Sequence, residues 1–74
     1  MREIYVELSH RMLPLVDAGV IELPSVSGAS ISRKRGSRVC YYFCDDILSD
    51  KDQKEIIEEI GGELDGLGIN WQEN

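Results

Sequence analysis

Arg38-Val39-Cys40-Tyr41-Tyr42-Phe43-Cys44 is the stretch on which the fold of this 74-residue chain turns. Its β-branched and aromatic content favours a strand, yet the strand is apolar on both sides. Val39, Tyr41 and Phe43 fall on one face, and Cys40, Tyr42 and Cys44 on the other. Such a strand needs cover on both faces or leaves one as a contact surface. Val39, Tyr41 and Phe43 are assigned here to the core. Tyr42 is assigned to an exposed aromatic face, open to a protein partner or, through 39–44, to a second copy in a homodimer.

Upstream, Lys34-Arg35-Gly36-Ser37 separates this run from another at 29–33, and a four-residue loop containing glycine is a common hairpin connection. At the start of the chain, Ile4, Val6 and Leu8 alternate with Glu3, Tyr5 and Glu7, the period of a half-buried strand over 2–8. Ser9 as cap and Gly19 as left-handed stop predict a helix near 10–18, which Pro14 either starts or kinks. Downstream, Ser49-Asp50-Lys51-Asp52 opens a second helix with a capping side chain and acids at its positive end. Ile56, Ile57 and Ile60 give it an apolar stripe, and Gly61-Gly62 predicts a stop near 61. Leu64, Leu67, Ile69 and Trp71 are too apolar to float free, so the tail is expected to pack back, a short strand being one way to do so.

These elements predict a single small α+β domain over 1–74, in the order β-α-β-β-α. A three-stranded, largely antiparallel sheet from 2–8, 29–33 and 38–44 carries helices near 10–18 and 50–61 on one face. The expected core is Ile4, Val6, Leu8, Leu15, Val39, Tyr41, Phe43, Ile56, Ile57 and Ile60. A chain of this size buries only about 60% of its unfolded surface, so disulfides, metal or a second subunit would be useful supports. Cys40 and Cys44 lie four strand residues apart, roughly 13 Å at about 3.3 Å per residue, too far to bridge. Zinc usually takes four Cys or His ligands, and His10 is the only histidine. A calcium loop starting at Asp50 would need glycine at 55 and glutamate at 61, where Glu55 and Gly61 stand. No metal and no cofactor is therefore expected. With no secretory signal at Met1-Arg2-Glu3-Ile4 and no membrane-length apolar run, the expected setting is the reducing cytoplasm, away from membranes.

Charge is divided along the chain. Segment 1–31 has two arginines against four carboxylates, segment 32–44 has four cations and no acid, and segment 45–74 has two lysines against ten carboxylates. The net charge is −6. Two candidate surfaces follow. Asp50, Asp52, Glu55, Glu58, Glu59 and Glu63 give the second helix an acidic face able to meet a basic partner protein, and repulsion among so many acids works against a thin core. Arg33, Lys34, Arg35 and Arg38 give the hairpin a basic tip able to meet nucleic-acid phosphates, with aromatic residues following for base stacking. A solubilising, edge-protecting turn explains the same cations. Catalysis has little support: the cysteines read as buried, His10 stands alone, and phosphate-loop, dinucleotide, metalloprotease and serine-elbow motifs are absent. The expectation is a small acidic, non-catalytic regulatory protein that binds another protein through the acidic helix and the aromatic sheet face. The alternative is a nucleic-acid-contacting module using the basic 33–38 hairpin.

Two short resemblances bear on these readings. Leu15-Val16-Asp17-Ala18-Gly19-Val20-Ile21, followed by Arg35-Gly36-Ser37-Arg38-Val39-Cys40-Tyr41-Tyr42-Phe43, looks like the end of a winged-helix domain, which implies a basic wing; the chain before Leu15 is too short for that family's helix-turn-helix. Asp50-Lys51-Asp52-Gln53-Lys54-Glu55-Ile56-Ile57-Glu58-Glu59-Ile60, with Trp71 and Glu73 near the end, is similar to the acidic C-terminal helix of DinI-type modulators of the RecA recombinase. That resemblance implies a strand-helix-strand-strand-helix order and action through an acidic helix face, although Gly61-Gly62 falls inside the corresponding long helix.

Overall fold

A computed structural model describes all 74 residues. The elements are β1 (Glu3–Glu7), α1 (Met12–Asp17), β2 (Ala29–Ser32), β3 (Val39–Cys44), α2 (Asp50–Gly66) and β4 (Asn70–Glu73). The class is α+β, with a small antiparallel sheet in the order β2-β3-β1-β4. The sheet has four strands rather than three, because the apolar tail adds itself to β1. This is the split β-α-β connectivity, in which each helix links strands separated by a third.

Register decides which face of β3 is buried. Ile4 stands opposite Tyr42 and Val6 opposite Cys40, and directly opposed residues share a face. Because Ile4 and Val6 are fully buried, β3 buries Cys40, Tyr42 and Cys44. The expected assignment is thus reversed: Val39, Tyr41 and Phe43 lie on the opposite face, which has no helix over it. The other core residues are Leu8, Ile57, Ile60, Leu64 and Ile69. Ile56 is half-buried at the margin, and Leu15 is exposed.

Helix α2 also departs from expectation, running through Gly61-Gly62 to Gly66. Gly61 faces β4, and a Cβ there would stand only 2.3 Å from Cζ2 of Trp71. Glycine at 61 therefore admits the indole and brings the helix close to the strand. The stop comes later, where Gly68 takes φ +73° and Ile69 N–H bonds the Leu64 carbonyl. At the other end Ser49 Oγ accepts the Asp52 N–H at 3.1 Å, as its position predicted.

Helix α1 is shorter than predicted, occupying Met12–Asp17. Pro14 sits in its first turn, where its missing N–H costs nothing. Gly19 ends it at φ +76°. Met12, Leu13 and Val16 pack against the core, as do Leu23 and Val26 of the following loop. Both helices and this loop therefore share one side of the sheet. The Tyr42 hydroxyl ties the loop down by donating to the Pro24 carbonyl at 2.6 Å.

Candidate functional site

The α2 carboxylates divide into those used inside the molecule and those left over. Arg2 grips Asp50 with two nitrogens, Nε to Oδ1 at 3.1 Å and Nη2 to Oδ2 at 3.2 Å, and reaches Glu73 with Nη1 at 2.7 Å. This places the start of α2 beside the end of β4. The paired guanidinium holds the Asp50 carboxyl below the usual carboxylate range. Asp50, one of the expected partner contacts, is therefore already engaged.

Asp52, Glu55, Glu58, Glu59 and Glu63 are exposed and form no ion pair. Helical spacing places Asp52, Glu55, Glu59 and Glu63 in one line along a flank of α2. Glu58 falls on the other flank with Lys51 and Lys54. Along the first flank runs an open groove of about 330 Å³, with Leu48 and Ile56 as its apolar part, Ser27 and Gly28 as its far wall, and Asp52, Glu55 and Glu59 on its rim. Gly28, at φ +90°, keeps it shallow but closely built: a Cβ there would lie 2.7 Å from Ile56 Cδ1 and 2.9 Å from Leu48 Cδ1. The acid flank was legible in sequence. The groove was not, because Leu48 and Gly28 arrive from separate loops.

The four hairpin cations also divide. Arg33 Nη2 donates to Asp17 Oδ1 at 2.6 Å and Nε to the Ser37 carbonyl at 3.0 Å. Both partners of this ion pair are largely covered, with side chains 12% and 18% exposed. Arg33 thereby fastens α1 to the hairpin and, assisted by the Gly36 N–H, lowers the Asp17 pKa. Arg38 is committed to the Leu8 carbonyl at 2.8 Å, with His10 at 3.1 Å and Glu7 at 3.5 Å around its other nitrogens. Lys34 and Arg35, at the exposed tip, are the two cations left without an ion pair.

The open sheet face is aromatic at its centre. Tyr5 and Tyr41, directly opposed on β1 and β3, meet edge to face with centroids 5.7 Å apart. Phe43 stacks beside Tyr41 at 6.1 Å. Glu3 and Glu7 share this face, and Tyr5 donates its hydroxyl proton to Glu7 Oε2 at 2.9 Å, which raises its pKa. Tyr42, expected here, is instead 2% exposed on the core side, where burial pushes its pKa up. The real members are Tyr5, Tyr41 and Phe43. The polar alternation of β1 was the signal for this face, since Tyr5 already stood on its outer side. Strand β3 lies inside the sheet with β1 and β2 on its two edges, so a second copy can reach it only through these rings.

Both thiols are buried, and burial raises the pKa of each, the opposite of what a thiolate nucleophile requires. No helix is long and apolar enough to cross a membrane. No family model, curated protein or solved structure matches the chain.

Proposed function

We propose that this is a small non-catalytic regulatory protein whose working surface is the acidic flank of α2 and the groove beside it. The single observation that carries the reading is the contrast among carboxylates: Glu7, Asp17, Asp46, Asp50 and Glu73 are paired within the molecule, whereas Asp52, Glu55, Glu59 and Glu63 are exposed in line and unpaired. Four aligned like charges raise the energy of the isolated domain and are relieved by a cationic partner. Leu48 and Ile56 beside them supply apolar contact, so the fitting partner is a protein segment bearing lysine or arginine around an apolar side chain. The acid flank and the aromatic face lie on opposite sides of the domain, so one flat partner surface engages one of them. Co-purification with the E55K/E59K protein tests this, with Glu58→Lys on the other flank as control. Loss of a partner in the first and retention in the second is expected; unchanged partners in both would sink the reading.

The aromatic face carries a second reading. Open four-stranded sheets that display aromatic rings on their central strands suit stacking of single-stranded bases, and Tyr5, Tyr41 and Phe43 stand there. Lys34 and Arg35 are the cations available for phosphates. Glu3 and Glu7 on the same face oppose it by repelling phosphates. Anisotropy titrations of labelled single-stranded DNA and RNA at low salt separate the readings: no shift in the wild type dismisses this one, and a shift abolished by Tyr41→Ala together with K34S/R35S supports it.

A further inference from the structure

The two sheet edges are not equivalent. On β4, Trp71 is packed on α2 and Glu73 on Arg2, so that strand is braced by the helix and carries a charge. The β2 edge has neither protection. From Ser25 to Ser32 there is no charged residue and no proline, the devices that natural edge strands use against pairing. Ile31, on this edge, is 44% exposed.

The ladder shows which backbone groups are unsatisfied. Asp45 N–H bonds the Gly28 carbonyl at 2.8 Å, and Ala29 stands opposite Cys44. Antiparallel bonding alternates, so Ser30 and Ser32 turn their backbone groups toward β3. Ile31, and the carbonyl of Ala29, turn outward.

We propose that β2 pairs antiparallel with β2 of a second copy about a two-fold axis at Ile31, joining two sheets into one of eight strands. With the axis there, residues whose groups point outward face one another, Ile31 opposite Ile31 and Ala29 opposite Arg33. At the axis each Ile31 N–H donates to the other copy's Ile31 carbonyl, and the two exposed isoleucine side chains meet. The Ala29 carbonyl accepts the second copy's Arg33 N–H.

Charge supports the same register. An antiparallel pair places the end of one strand beside the start of the other. The β2 end leads to Lys34 and Arg35, unpaired at the hairpin tip; the β2 start lies beside exposed Asp45 and Asp46. In this register the second copy's Lys34 comes opposite Gly28. There an open hollow of about 420 Å³, walled by Gly28, Ser30, Phe43, Asp45 and Asp46, can receive a long cationic side chain. Asp46 is met within its own chain only by the Met1 amine at 3.6 Å. Two-fold symmetry makes the contact twice, assigning a role to cations that form no ion pair in the monomer.

Sedimentation equilibrium over a wide concentration series tests the proposal, with a monomer–dimer equilibrium expected for the full chain. Ile31→Pro removes the axial N–H of both copies but no bond to β3, so the monomer keeps its fold. It should raise the dimer dissociation constant at least about tenfold, as the loss of two backbone hydrogen bonds requires. K34E/R35E and D45K/D46K should each weaken self-association, while a mixture of the two should restore it as a heterodimer. A wild type that stays monomeric throughout, or an Ile31→Pro protein that dimerises as well as wild type, overturns the proposal.

Discussion

Trp71 occupies the space that a side chain on Gly61 would fill, with Cζ2 only 2.3 Å from where a Cβ would stand. Gly62, its neighbour, has nothing within 4 Å. The two glycines therefore respond oppositely to the same change. Gly61→Ala is expected to destabilise by about 1–3 kcal/mol through overpacking, and Gly62→Ala to stabilise by about 0.5–1 kcal/mol through helix propensity. Urea unfolding midpoints of the two variants decide it, and shifts of the same sign would contradict the packing described.

Tyr42 holds the Pro24 loop from beneath, and Tyr41 beside it does nothing comparable. Tyr42→Phe leaves the Pro24 carbonyl without its donor and is expected to cost about 1–3 kcal/mol. Tyr41→Phe should be close to neutral. Limited proteolysis gives an independent readout, because release of the loop should speed cleavage between 20 and 27 in the first variant alone.

Stability should fall on the acid side because two carboxyls are held down in the fold. Asp17 beside Arg33 and Asp50 beside Arg2 have folded pKa values below their unfolded ones, near 3.9 for a free aspartate. Their contribution is complete well above that value and is lost as pH falls through about 4 and below. Unfolding midpoints measured from pH 7 downward should drop through this window. The Asp17→Asn protein should start lower and decline less steeply.

On the alkaline side the sign reverses. Cys40, Cys44 and Tyr42 are acids whose neutral forms are favoured by burial, so their folded pKa values exceed the unfolded ones. Above about pH 8.5 the unfolded chain releases thiol protons that the folded chain keeps, and stability declines as pH rises. Cys40→Ala with Cys44→Ala should lower stability at pH 7 and flatten this limb below the tyrosine range. An unchanged slope would place ionisation elsewhere.

The alternation in 2–8, the hairpin and the Ser49 cap were legible in sequence because each is a local pattern. Strand β3 was legible as a strand, but which of its faces is buried was not, since the two are equally apolar and its orientation is imposed by register with β1, a contact across the chain. Gly61-Gly62 misled for a related reason: glycine pairs usually mark a stop, but here one glycine is required by an indole ten residues away. The short β4 carries only Trp71 as an apolar signal, too little to distinguish a strand from a packed tail. Among the site residues, the charges were visible and their pairing was not. Arg33 and Arg38 looked like their neighbours Lys34 and Arg35 until Asp17 and the Leu8 carbonyl were placed beside them.

The clasp of Arg2 on Glu73, continued by the Asn74 N–H bonding the Glu3 carbonyl at 3.0 Å, brings the two ends of the described chain side by side. A domain with adjoining ends can be spliced into a surface loop of another protein without stretching either. It can equally be joined end to end and reopened at the Lys34–Gly36 tip, giving a permuted protein in which the sheet survives and the basic tip becomes a pair of chain ends.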